Sequence, residues 1–145
     1  MPSVFDVAKY ILEKMGPITA WKLQKLVYYS QAWSVVWDEE PLFEEPIEAW
    51  ANGPVVRELF NKHKGLFKVY PSDIPGDSNK LEKRHKETID AVVRDYGQYT
   101  SQYLSDLTHM EDPWKEARGN ALEGEPSSAV ISLESLQRYY ESLSE

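Results

Sequence analysis

The sequence predicts a mainly α-helical, single compact domain, residues 1–145, with a minor β element. Apolar residues recur at the 3.6-residue spacing of amphipathic helices, and Ser, Thr or Asp starts and Gly or Gly-Pro stops bracket those stretches. Extended-chain signals are confined to short pieces. A chain of 145 residues suits one core that buries about 68% of its unfolded surface, which leaves little room for a repeat array or a second full domain.

The first helix starts at Ser3, whose hydroxyl can accept an orphan amide proton, and Asp6 suits its first turn. Val4, Val7, Ala8, Ile11, Leu12 and Met15 share one side, and Gly16 and Pro17 end the helix. Thr19 caps a second helix that runs to Trp37 without Gly or Pro. Leu23, Leu26, Val27, Ser30, Trp33 and Trp37 make its apolar stripe, which Trp21, Tyr28, Tyr29 and Val35 widen beyond what one neighbour would cover. A central helix touching several elements is expected, with Lys22 and Lys25 on its more exposed side and Gln24 and Gln31 free to pair with backbone if buried.

Pro46–Trp50 reads as a short strand, and Asn52, Gly53 and Pro54 as a turn into a helix with Pro54 at its first position. That helix ends before Gly65, and Leu66–Tyr70 is a second extended piece, expected to pair with 47–50 in a minor sheet. Pro71–Asn79 is a surface loop in which Ser78 caps a helix that reaches Tyr96 and stops at Gly97. Thr100 opens a short helix through Thr108, and Asp112 and Pro113 form a cap and first-turn pair leading to Arg118. Gly119–Ser128 is turn-rich, Ala129–Ile131 is extended, and Ser132 caps a last helix.

Formal charge is −8, but it is distributed unevenly: +2 over 1–37, −6 over 38–60, +4 over 61–86 and −8 over 87–145. Nucleic acid is a poor default partner for such a chain, whereas opposed surface patches suit protein recognition. With no Cys, thiolate catalysis, thiolate-held zinc and disulfides are excluded. No basic-then-apolar leader opens the sequence and no long uncharged apolar run occurs, so a cytoplasmic protein without membrane contact is expected.

Motifs for chemistry are sparse. His63, His85 and His109 fall in different elements, and a site built on His109, Glu111 and Asp112 competes with ordinary capping at a turn. Glu44, Glu45, Glu48 and Glu58 could converge after folding, but spacing alone does not select a carboxylate pair. Neither GxxxxGK nor GxSxG is present. Gly16–Ile18 links two helices in the manner of a helix-turn-helix, yet the second helix is apolar around most of its circumference, unlike a DNA-reading helix. No catalytic residue, metal ligand or cofactor is expected.

Three blocks carry a resemblance: AWKLQKLVYYSQAW at Ala20–Trp33, IEAWANGPVVREL at Ile47–Leu59 and LTHMEDPWKEAR at Leu107–Arg118. Together they resemble the Panacea domain, the SocA-like antitoxin family known through phage-associated proteins. The resembling residues are Trp21, Lys22, Leu23, Gln24, Lys25, Leu26, Tyr28, Tyr29, Gln31 and Trp33 in the first block, Trp50, Gly53, Pro54 and Val55 in the second, and Thr108, His109, Pro113 and Trp114 in the third. The resemblance implies a largely helical bacterial or phage protein that neutralises a cognate toxin encoded nearby. For most of the aromatic positions core construction is sufficient reason, since burying one large side chain stabilises by about 1.5–3 kcal/mol. Gln24, Gln31, Thr108 and His109 are candidates for a buried polar network.

The expected function is therefore a non-enzymatic antitoxin that binds its toxin directly, with Trp37, Phe43, Arg57, Tyr99 and Tyr103 as candidate contact residues. Overall acidity favours a basic toxin and speeds encounter. The alternatives are an adaptor that delivers the toxin to a protease, a DNA-linked regulator, and an enzyme using a carboxylate or His109.

Overall fold

Ser3 and Asp6 exchange hydrogen bonds at the start of α1 (Val4–Met15), in the computed structural model, which describes residues 1–144: the Asp6 amide donates to Ser3 Oγ at 3.3 Å and the Ser3 amide donates to Asp6 Oδ2 at 2.9 Å. Glu145, the last residue of the predicted domain, lies outside the described residues. Gly16, at φ 78°, ends α1 in the left-handed region. Strand β1 (Ile18–Thr19) leads into α2 (Ala20–Trp37), capped by Thr19. There follow β2 (Glu48–Trp50), β3 (Gly53–Val55), α3 (Arg57–His63), β4 (Lys68–Val69), α4 (Lys83–Tyr96), α5 (Ser101–His109), α6 (Asp112–Arg118) and α7 (Leu133–Leu143). The mainly helical fold with a small β component is as the sequence predicts.

Helix α2 is the axis of the molecule, packed against α1, α4, α5, α7 and β3, and 13 of its 18 residues are buried. Its polar side chains are consequently used as internal ties. Gln31 Oε1 accepts the amides of Leu42 and Phe43 at 2.6 and 3.3 Å while its Nε2 donates to the Phe43 carbonyl at 2.9 Å, which fixes the irregular chain after α2. Tyr29 and Tyr140 both donate to Glu111 Oε1, at 2.7 and 2.8 Å, joining α2, α7 and the start of α6. Burial pushes the Glu111 carboxyl above the ordinary carboxylate range, although both tyrosine bonds act in the opposite sense.

The structure corrects several expectations. Strand β2 pairs antiparallel with β3 and β1 with β4, so 66–70 does not join 47–50 in one sheet. The Phe67 carbonyl is instead drawn to the free Ala20 amide at the start of α2, 2.9 Å away. Pro54 sits inside β3 and α3 begins only at Arg57. Gln24 explains the delay: Val56 N–H donates to its Oε1 at 2.9 Å and its Nε2 donates to the Val56 carbonyl at 3.2 Å, holding that peptide extended. Ser78 does not cap α4, because its hydroxyl donates to Glu13 and α4 begins at Lys83 after Glu82. Glu111 rather than Asp112 occupies the cap position of α6. Residues Ala129–Ile131 are extended as expected and lie along β2, with Ile131 N–H donating to the Ile47 carbonyl and Ala49 N–H to the Ala129 carbonyl, both at 2.8 Å. Among the described residues no helix is long and apolar enough to cross a membrane.

Replacing Gln31 with Leu keeps volume but strands the Leu42 amide and the Phe43 carbonyl in the interior. We predict a loss of about 2–4 kcal/mol in urea unfolding with an unchanged far-UV spectrum of the folded state.

Candidate functional site

Trp21 and Lys25 stand one helical turn apart on α2, close enough for the ammonium to approach the indole. The Lys25 Nζ lies 5.4 Å from the Trp21 ring centroid and donates to the Pro54 carbonyl at 3.2 Å. Lys25 is 1% exposed, which overturns its expected place on the solvent side. None of the ion pairs among the described residues includes it. Burial without a carboxylate pushes the amine down to about 7.

The β2–β3 hairpin closes over this lysine. Gly53 has φ +126°, and a β-carbon there would lie 2.6 Å from Lys25 Cε and 3.1 Å from Thr108 Oγ1, so both backbone geometry and space require glycine. The Ser105 hydroxyl donates to the Asn52 carbonyl and Trp114 Nε1 donates to the Trp50 carbonyl at 2.8 Å, bolting the hairpin to α5 and α6. Trp114 is itself held: the His109 ring stacks on it at 4.0 Å, and the Arg118 guanidinium lies 4.8 Å from its centroid while donating to the Ala49 carbonyl at 3.0 Å. Residues from all three sequence blocks thus meet at one buried amine.

Outside the hairpin the surface is aromatic and cationic. Phe60 stacks with Trp21 at 6.1 Å and meets Trp50 edge-on at 4.9 Å. Arg57 lies over the Trp50 ring at 5.2 Å and is gripped through two nitrogens by Glu48, at 2.8 and 3.1 Å. The Arg57 hydrogen bonds hold the Glu48 carboxyl below its usual range. Trp21, Trp50, Asn52, Arg57 and the segment Pro126–Ser128 line an open cleft of about 470 Å³. Behind it His63 faces Gln24, with Nε2 atoms 3.0 Å apart, and burial together with the Lys25 charge lowers its pKa.

The expected polar network divides into separate ties. Gln24 serves Val56 and His63, Gln31 serves 42–43, and Thr108 donates to the Ser105 carbonyl at 2.7 Å. His109 Nε2 is buried without a hydrogen-bond partner among the described residues, and burial lowers the ring's pKa. His109, Glu111 and Asp112 turn to different neighbours, respectively Trp114, the tyrosines Tyr29 and Tyr140, and Lys115. Of the acidic residues after α2, Glu45 accepts the Val4 amide and Glu48 holds Arg57, while Glu44 and Glu58 are exposed. Among the described residues no group of three His, Asp or Glu could hold a metal ion.

The other block residues build the scaffold: Leu23, Leu26, Tyr28, Tyr29, Val55, Pro113 and Trp114 are buried and Trp33 is half-buried, while Lys22 is half-exposed beside Trp21. The candidate contact residues are scattered. Phe43 is 1% exposed and cannot meet a partner, which corrects that expectation. Trp37 is exposed at the far end of α2 from Trp21, about 24 Å along the axis. Tyr99 and Tyr103 stack at 4.3 Å beside α5, and only Arg57 stands at the cleft. Phe60, His63, Asn52 and Ser105 were not read from the sequence as part of this site. The Trp21–Lys25 spacing was the one local signal for its centre.

Lys25→Met removes a buried charge at nearly constant volume, and we predict a gain of about 1–3 kcal/mol near pH 7. The folded-state pKa lies below the unfolded one, so the wild type is most handicapped at and below pH 7 and recovers toward pH 10. Chemical denaturation should therefore show the gap between variant and wild type closing as pH rises through that window. Gly53→Ala should do the opposite, destabilising by about 2–4 kcal/mol through collision with Lys25 and the positive φ.

No curated protein and no solved structure matches the chain. A family match does: residues 23–115 fit the family described as "Antitoxin SocA-like, Panacea domain", a segment that holds Lys25, the hairpin clamped over it and the His109–Trp114 stack. With most of its length matched and the matched residues packed into one arrangement, the chain belongs to the SocA-like Panacea-domain antitoxin family.

Proposed function

We propose that the protein is an antitoxin that neutralises a protein toxin by direct, non-catalytic binding, and that the cleft beside the β2–β3 hairpin is part of the contact surface. Family membership supports the antitoxin role. The observation that carries the choice of surface is the cleft itself, where Trp21, Trp50 and Arg57 are presented on a braced hairpin and helix. Trp and Arg dominate the energetics of protein interfaces, and holding them in place before contact spares the entropy of ordering them. A stable complex buries roughly 1,200–2,000 Å² in total, so the cleft would be the anchoring centre of a larger contact.

The test is co-expression with the product of the neighbouring gene. Co-elution of the two proteins and relief of growth inhibition are expected. Arg57→Ala should weaken association about 10- to 100-fold while lowering the thermal midpoint by only a few degrees, the share due to the lost Glu48 pairing, whereas Glu87→Ala on the outer face of α4 should leave association unchanged. Absence of both co-elution and relief, with both proteins folded, would overturn the proposal.

A further inference from the structure

The cleft is one end of a longer aromatic ridge. Trp50 meets Phe60, Phe60 stacks with Trp21, and the residue before Trp21 is hydrogen-bonded to the Phe67 carbonyl, 2.9 Å from the Ala20 amide. Trp21 is 37% exposed and Phe67 81% exposed. Phe67 therefore stands almost entirely in solvent although its backbone is pinned to the start of α2, an arrangement that presents an apolar side chain instead of burying it.

Charge along this ridge runs against that of the whole molecule. The protein carries −8, yet Arg57, Lys62, Lys64 and Lys68 lie on the segment from α3 through β4 with Glu58 the one acidic residue among them, and Lys22 adjoins Trp21. Glu48 stands at the edge of the cleft, where it accepts from Trp50 Nε1 at 2.9 Å and neutralises Arg57. The positive charge of the ridge therefore rests on Lys22, Lys62, Lys64 and Lys68, none of which joins an ion pair among the described residues, and Lys25 lies beneath Trp21 without an acidic partner among them. On the opposite side, Glu125 is folded back onto the Leu122 amide beyond the Pro126–Ser128 rim, with Glu123 exposed near it. A short acidic chain fits a cationic strip bounded in this way, while a long polyanion would run onto acidic surface.

We infer that this ridge docks an extended, acidic segment of the toxin, with an apolar side chain seated between Trp21 and Trp50 and its carboxylates facing Lys22, Lys62, Lys64 and Lys68. The inference rests on the antitoxin reading above and names the chemistry of its partner at the point of contact. Of the acidic runs a second copy of this chain offers, that at 38–48 has Leu42 and Phe43 0% and 1% exposed and unavailable, and that at 122–125, although Leu122 is 70% exposed, is folded into a tight turn with Glu125 held by the Leu122 amide rather than extended.

The test uses the full chain with ¹⁵N-labelled indoles, assigned by single Trp→Phe variants. Two synthetic decapeptides are titrated at physiological salt, one alternating Glu with Leu and Phe, the other its Lys counterpart. The acidic peptide should move the Trp21 and Trp50 signals saturably and leave Trp37 in place. Its affinity should fall at least tenfold in the Lys62→Glu, Lys64→Glu, Lys68→Glu variant, and severalfold between low and high salt. Equal or tighter binding of the basic peptide, tighter binding of a single-stranded oligonucleotide, or an unchanged affinity in the triple variant would overturn the inference. A dimer that forms with concentration and is lost in Phe67→Ser would assign the ridge to a second copy and overturn it too. In the two-gene assay, full relief of toxicity by the triple variant would defeat the acidic-segment inference and leave the antitoxin reading standing. Failure of the wild type to relieve toxicity would defeat that reading, and the peptide titration would still decide the chemistry of the ridge.

Discussion

The organisation of this protein depends on the almost complete burial of α2. A helix enclosed over most of its surface leaves few polar side chains in solvent, Lys22 among them, and each one that is buried unpaired costs about 1–3 kcal/mol. Gln24, Ser30, Gln31, Ser34, Tyr28 and Tyr29 therefore each find a partner, most of them on a different part of the chain. The ties to Val56, Phe43, Glu40, Glu111 and Tyr140 hold segments that have little regular structure of their own or that enter helices late in the sequence. The hydrophobic effect supplies the drive for burying the helix, and the polar residues it carries inward supply the register of what surrounds it.

Lys25 is the exception in that set, since it donates to one carbonyl and has no counter-charge among the described residues. An apolar side chain of the same length would serve stability better. Its retention at the junction of α2, the hairpin and α5 makes sense in terms of what lies above it: the hairpin that covers the amine also positions Trp50, and the indole beside it is Trp21. Stability is given up directly beneath the surface proposed above as the contact with a partner, the pattern expected where a site is shaped for binding.

The charge distribution has two scales with opposite signs. Within about one Debye length of its surface, roughly 8 Å, the molecule as a whole presents an acidic body to an approaching partner, while at contact the lysines along the ridge from Trp50 to Phe67 make that strip cationic. Encounter and docking can thus be served by different charges on the same partner, a basic body for the first and an acidic segment for the second.

Local chemistry made much of the helical fold legible in advance. Ser3, Thr19, Thr100 and Ser132 cap the helices assigned to them because a hydroxyl three residues from an orphan amide acts over a distance the sequence itself specifies. Gly16 ends α1 for a similarly local reason. The misplaced features all involve a partner far along the chain. Pro54 is held in a strand by Gln24, Ser78 is diverted by Glu13, and β4 pairs with β1 rather than β2 because the first turn of α2 needed an acceptor. Arg57 was legible as an exposed residue, being a charged group with no apolar stripe to join, whereas the sealing of Lys25 under the β2–β3 hairpin and of Phe43 against Gln31 depends on partners farther along the chain. The sequence by itself determined where helices start and stop and that α2 would be shared by several neighbours, since these follow from hydrogen-bond reach and a 3.6-residue period. Only the tertiary structure decided that Trp21, Lys25, Gly53, Thr108 and Trp114 form one site, because their meeting depends on the path of the whole chain between them.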